Sequence, residues 1–271
     1  MSQNVLVVHG GGPTAVINAS LYGVIEEAKR NPEVGKVYGA IGGTGAIFSE
    51  TFIDLTSFDD EKLKLLLHTP ASAIGSSRYP LYEKDYEKMV DIFKKHDIKY
   101  VLLNGGNGTM DACGHIYEVC KDQDIKVVGI PKTIDNDIAM TDHSPGYGSA
   151  ARFIAASTQE VGEDVKSLPI HVCIMEAMGR NAGWITAASA LARRKQGDAP
   201  HLIYLPERNF NEDEFLEDVS KLQKKQGGVV VLVSEGLHDA NGESIVPPIF
   251  KSERAAYYGD VSSHLANLVV K

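Results

Sequence analysis

Apolar, β-branched runs alternate with stretches of helical periodicity along almost the whole 271-residue chain. That alternation limits the possible folds more than any other feature. Strands are predicted at residues 4–8, 36–41, 100–103, 126–130, 171–175, 201–205 and 228–233. Helices are predicted between them, at residues 15–31, 61–68, 84–96, 110–122, 147–165, 182–194 and 213–226, with another beginning near Val261. In the first helix Val16, Ala19, Leu21, Val24, Ile25 and Ala28 fall largely on one face. In the stretch 213–226, Phe215, Leu216, Val219 and Leu222 repeat at helical spacing, and Asn211 with Glu214 forms a candidate N-cap. Strand–helix alternation of this kind predicts an α/β protein with doubly wound, mostly parallel sheets and right-handed crossovers.

Composition narrows the partners. A formal net charge of −9 argues against a nucleic-acid surface, which needs clustered cations to release counterions. No apolar run approaches the roughly 20 residues of a bilayer span. With no signal peptide ahead of the first strand, a cytoplasmic location is expected. Cys113 and Cys120 share one face of a predicted helix and Cys173 lies in an apolar run, so reduced core thiols are expected rather than zinc ligands.

The densest chemistry lies in residues 131–137, PKTIDND, directly after an apolar run. Lys132, Asp135 and Asp137 would sit at the carboxyl edge of a sheet, where open α/β sheets bind ligands. Two acids two positions apart suit metal–phosphate chemistry and proton abstraction from a hydroxyl. An Asx-rich turn is the bland alternative.

Three glycine-rich turns follow predicted strands. Residues 9–14, HGGGPT, and 104–109, NGGNGT, would let backbone N–H groups approach a phosphate at a helix start. Tight structural turns needing positive φ account for the same glycines. In the third, 179–183 (GRNAG), Arg180 is expected at a helix start, where the dipole disfavours a cation and anion binding would explain it. Arg78 in GSSRYP could clamp a phosphate or be a surface arginine. Glu235, at the end of an apolar strand, could accept from sugar hydroxyls or be a solvated acid, and His171 could face phosphate or fill an edge.

Taken in order, GGGPTAVIN, GSSRYP, GGNGT, PKTIDND, EAMGR and VSEG resemble the phosphofructokinase family. PKTIDND with MGR at this spacing is specific, whereas a GGxGT turn alone also occurs in NAD and lipid kinases. The resemblance implies two Rossmann-like lobes with an active-site cleft between them, residues 1–138 binding the phosphoryl donor and 139–271 the sugar phosphate. It implies phosphoryl transfer to the 1-hydroxyl of fructose 6-phosphate, with Mg2+ as cofactor and a homo-oligomer, dimer or tetramer. Asp135 would be the base, Asp137 would assist in charge and metal placement, and Lys132 and Arg180 would act on the transferring phosphoryl group. Thr133, Ile134, His171, Met178, Gly179 and Glu235 would join Asp135 and Arg180 at the sugar phosphate. Gly12, Arg78, Tyr79, Gly106, Asn107, Gly108 and Thr109 would hold the donor, with Asn107 serving the metal.

Four departures from the family pattern bear on activity. Asn107 stands where the family usually has Asp, which removes a unit charge from the metal position. Gly108 leaves room for ATP where pyrophosphate users carry Asp, yet Lys132 stands where many ATP users have Gly and pyrophosphate users have a lysine, although some ATP-dependent members combine this Gly with this Lys. The balance points to ATP, with pyrophosphate the alternative, because a missing block is harder to compensate than an extra cation. His171 replaces an arginine that reaches a neighbouring subunit's sugar phosphate, and an imidazole binds phosphate less strongly than a guanidinium fork. Last, the His-x-x-Arg-Gly-Gly-like stretch expected after Glu235 is not present. That makes a truncated chain an expectation, with weak fructose 6-phosphate binding and an exposed apolar face near Leu265, Leu268 and Val269. A phosphosugar- or nucleotide-binding fragment without catalysis is then the competing function.

Overall fold

A computed structural model of the chain describes residues 3–251, 256–258 and 260–270. The chain divides into two compact units, Met1–Thr133 and Ile134–Lys271. The division falls inside the 131–137 stretch rather than after residue 138.

Unit 1 runs β1 (Gln3–His9), α1 (Ala15–Arg30), β2 (Val34–Ala40), the short α2 (Gly45–Phe48), β3 (Phe52–Asp54), α3 (Asp60–Lys64), α4 (Glu83–Lys95), β4 (Ile98–Gly105), α5 (Asn107–Cys120) and β5 (Lys126–Pro131). Its five-stranded sheet has the order β3-β2-β1-β4-β5. Every pairing is parallel except β2 with β3, an antiparallel edge strand that the sequence reading did not predict. β1 is buried on both faces, as central strands of parallel sheets are. Val5 and Val7 pack with Leu21 and Ile25 of α1, while Leu6 and Val8 pack with Met89 and Phe93 of α4 and Ile116 of α5. The strand order reverses between β1 and β4, the place where open α/β sheets leave a crevice at their carboxyl ends.

Unit 2 runs α6 (Tyr147–Ser167), β6 (Val172–Ala177), α7 (Trp184–Ala188), β7 (Leu202–Tyr204), α8 (Glu212–Gln226), β8 (Val229–Ser234), the antiparallel hairpin β9 (Pro248–Lys251) with β10 (Ala256–Tyr258), and α9 (Val261–Val270). The parallel sheet β6-β8-β7 has β8 at its centre. Val229, Val231 and Val233 face Phe215 and Val219 of α8 and Leu265 of α9. Val230 and Leu232 face Ala151 and Ile154 of α6 and Ile185 of α7.

Three local expectations need correction. The predicted helix at 61–68 is α-helical only through α3 and continues as a 3-10 turn, Leu65–His68. The helix predicted at 182–194 begins at Trp184 and passes into a 3-10 turn, Ser189–Ala192. The apolar face of α9 is covered: Leu265 is fully buried, and Leu268 and Val269 are partly buried against the same core, which leaves Val270 exposed. Among the described residues no helix is long and apolar enough to cross a membrane.

The cap of α8 follows the sequence. The Asn211 side chain accepts from Glu214 N at 3.0 Å, and Glu212, Asp213 and Glu214 place negative charge in the first turn. Asn211→Ala should lower stability by about 1 kcal/mol. Urea unfolding of the variant against the wild type measures it.

Candidate active site

In unit 1 the carboxyl ends of β1, β4 and β5 gather the glycine turns and the first part of PKTIDND. Gly10 and Gly105 lie on either side of the reversal and press on one side chain: a Cβ on either glycine would collide with Thr109 Oγ1. Close approach of two turns around a threonine is why glycine stands at both places. Gly10 N donates to Asn104 O at 3.0 Å and Gly11 N to Ser77 O at 3.1 Å. These amides, candidates for a phosphate in the sequence, are taken by a carbonyl of β4 and one of the GSSRYP segment. Gly12 is exposed, with open space where a side chain would stand.

The GSSRYP segment is fastened to this first turn. Gly10 and Ser77 form a parallel bridge, and Ser76 Oγ donates to Gly11 O at 2.7 Å. Arg78 follows directly and is exposed. Tyr79 packs on Phe48, with ring centroids 5.8 Å apart. Sequence reasoning passed over Ser76 and Ser77, although their Gly-Ser-Ser setting signalled a turn.

The second turn is shorter than predicted because α5 starts at Asn107, not near Met110. Asn107, Gly108 and Thr109 therefore form the first turn of the helix, whose Gly106 N-cap carries no side-chain cap. A helix start offers N–H groups and a positive dipole end to an anion. Asn107 and Gly108 are exposed, and no heavy atom stands within 4 Å of a Cβ added at Gly108.

Lys132 is buried, at 5% exposure, and its Nζ donates to Gly12 O at 2.5 Å. Its backbone N donates to Gly105 O at 2.8 Å. One residue thus ties the end of β5 to both glycine turns, with Thr133 buried beside it.

His9, also fully buried at the end of β1, is a functional-looking residue that sequence reasoning missed. Ser72 Oγ gives its proton to Gly75 O at 2.7 Å, so it accepts from His9 Nδ1 at 2.8 Å and sets the Nδ1–H tautomer of the neutral imidazole. Burial, and then the nearby Lys132 charge, push the His9 pKa down to about 4. The unfolded chain takes up this proton below about pH 6.5 while the native state refuses it until about 4. Stability from this group is therefore whole above pH 6.5 and falls as pH drops towards 4. At pH 5 the loss is about 2 kcal/mol. Urea unfolding at pH 7 and pH 5 should show that difference for the wild type and little of it for His9→Gln.

In unit 2, Asp135 and Asp137 are half-buried and flank Asn136, which is buried. The carboxyl ends of β6 and β8 lie side by side, with Ala177 opposite Ser234. The loop after β6 is therefore held by the end of β8: Gly179 N donates to Glu235 Oε1 at 3.2 Å, and Ser234 Oγ donates to Gly179 O at 2.8 Å. Gly236 has no room for a Cβ, which would run into the Arg180 carbonyl. Arg180 precedes the helix by several residues, since α7 starts at Trp184 and Gly183 N is taken by Glu207 Oε1 at 2.7 Å. The helix-dipole argument for its position does not apply.

Arg180 and Glu235 line a cavity of about 280 Å³ together with Asn181, His238 and Ser244. Met178 is exposed. His171 precedes β6, at the opposite end of the strand from Arg180 and roughly 20 Å away by strand rise. Unit 2 therefore does not bring His171 to Arg180. A larger cavity, about 420 Å³, lies at the amino edge of the same sheet, near Lys166, His201 and Gly228, and neither Arg180 nor Glu235 lines it.

Among the described residues no group of three or more His, Cys, Asp or Glu side chains could hold a metal ion. In unit 1 the Asn107 amide, and in unit 2 the carboxylates of Asp135 and Asp137, are oxygen donors of the kind a hydrated Mg2+ takes one or two of, completing its shell on water and phosphate.

Comparison with known proteins adds to this geometry. The family model described as Phosphofructokinase matches residues 4–269. The pyrophosphate–fructose 6-phosphate 1-phosphotransferase of Rhodospirillum rubrum is 42% identical over 98% of this chain and 67% of its own length. The ATP-dependent 6-phosphofructokinase of Amycolatopsis methanolica is 30% identical over 87% of this chain and 52% of its own. A solved pyrophosphate-dependent phosphofructokinase from Marinobacter aquaeolei superposes with a TM-score of 0.85 at 38% identity, over 98% of this chain and 64% of that one. The chain spans about two thirds of the length of the first and last of these relatives.

Proposed function

We proceed from the fact that this chain belongs to the phosphofructokinase family, and propose that it moves a phosphoryl group from pyrophosphate to the 1-hydroxyl of fructose 6-phosphate. The observation that carries the reading is Lys132, buried with its ammonium on the first glycine turn and three residues before the paired acids. Asp135 takes the proton of the sugar hydroxyl, and Asp137 adds negative charge for the metal. Unit 1 supplies the donor groups: Gly12, Arg78, Tyr79 and the turn Gly106–Thr109, with Lys132 neutralising the departing phosphate. Unit 2 supplies the sugar-phosphate groups Met178, Gly179, Arg180 and Glu235, with Thr133 and Ile134 adjoining Asp135. Bound Mg2+, held through Asn107 with waters, would spread the charge of the transferring phosphoryl group. Catalysis of this kind is mostly positioning and charge neutralisation.

Three observations weigh on the donor. Pyrophosphate is favoured by the higher identity to the pyrophosphate-named relative and by Lys132. ATP, which the sequence reading preferred, keeps one argument: the open space at Gly108 leaves room for an α-phosphate.

Initial rates of fructose 1,6-bisphosphate formation with each donor decide between them. Pyrophosphate should support turnover at least about tenfold faster than ATP, and Asp135→Asn should lower kcat by about 10³. Equal or faster turnover with ATP would reverse the donor assignment. Binding of fructose 6-phosphate without turnover from either donor would leave only a phosphosugar-binding protein.

A further inference from the structure

Asn136 lies between the two acids, Asp135 and Asp137. Its φ of 56° places it in the left-handed region, which asparagine tolerates better than most residues that carry a Cβ. Its side chain is 7% exposed and spans a loop. Nδ2 donates to Asp142 O at 3.2 Å, and Oδ1 accepts from Ser144 N at 2.7 Å. The segment from 136 to 144 is thus closed on itself by one amide group. Ser144 is fully buried, and its carbonyl accepts from Tyr147 N at 3.1 Å, the first residue of the 21-residue α6.

The residue before Asp135 is anchored as well. Ile134 packs against the core cluster that contains Ala151 and Ile154 of α6. Asp135 therefore stands between two fixed neighbours, one held by apolar packing and the other by a hydrogen-bonded amide. Both lead to the same helix. The left-handed turn at 136 also sets the direction in which the chain leaves Asp135 and enters Asp137.

We propose that Asn136 is the positioning residue of the reaction: its amide clamp on Asp142 and Ser144 fixes the Asp135 carboxylate for proton abstraction. This rests on the function proposed above, in which Asp135 is the base. The clamp acts through Asp135 and touches no substrate. Removing it should leave substrate binding largely intact and slow the chemical step.

Asn136→Gly keeps the left-handed backbone and deletes both side-chain hydrogen bonds. Asn136→Ala deletes them and opposes the positive φ as well. With KM for fructose 6-phosphate within about twofold, kcat should fall about tenfold for the glycine variant and about a hundredfold for the alanine variant. Crystal structures of wild type and Asn136→Gly should show the Asp135 carboxylate displaced. A purely architectural role would instead lower the melting temperature and leave kcat per folded molecule unchanged. If Asn136→Ala does not fold, Asn136→Gly decides the matter. Should the wild type transfer no phosphoryl group from either donor, the proposed function fails, and the crystal structures alone judge the clamp. An Asp135 carboxylate unmoved in Asn136→Gly overturns it.

Discussion

An ammonium group shut away from water must find oxygen, because a buried unpaired charge costs several kcal/mol. Lys132 finds it on the carbonyl of Gly12, and the backbone of the same residue reaches Gly105. These two bonds join the end of β5 to the turns after β1 and β4, so three loops distant in sequence share one fixed geometry. His9 fits the same constraint. An imidazole beside a buried ammonium is better neutral, and Ser72 selects the Nδ1–H tautomer of that neutral ring.

Unit 2 holds its loop after β6 with a half-buried carboxylate and a buried hydroxyl. The turn after β6 is pinned by Glu235 and Ser234 at the end of β8, and the absence of a side chain at Gly236 lets the two loops touch. In both units glycine permits close approach and a polar group from a neighbouring strand end supplies the bond. Parallel strands make this possible because their carboxyl ends lie at one edge.

Much of this was legible in the chain itself. Continuous apolar runs and period-3.6 patterns located the parallel strands and most helices among the described residues, since burial on both sheet faces enforces apolar runs. PKTIDND, MGR and the glycine turns marked the candidate residues because such types are rarely clustered without a chemical or conformational reason. The misreadings came from places where local pattern and tertiary partner disagree. α5 starts at Asn107 because Gly106 caps it, although asparagine and glycine look like loop. β3 escaped notice because an antiparallel edge strand of three residues has too few positions to show a period.

The residue sequence by itself determined the α/β class, the family, and the identity of the acids and cations available for chemistry, for these depend on local composition and spacing. Only the tertiary structure decided which of them are held and by what. Gly10 and Gly11 lose their amides to Asn104 and Ser77, Lys132 turns to Gly12, Asn136 closes on Asp142 and Ser144, and His171 stays at the far end of its strand from Arg180. Such pairings join residues far apart in the chain or aim a side chain in one of several possible directions. A linear pattern carries no information about either, because the partner is chosen by packing and by the need to satisfy every buried polar group.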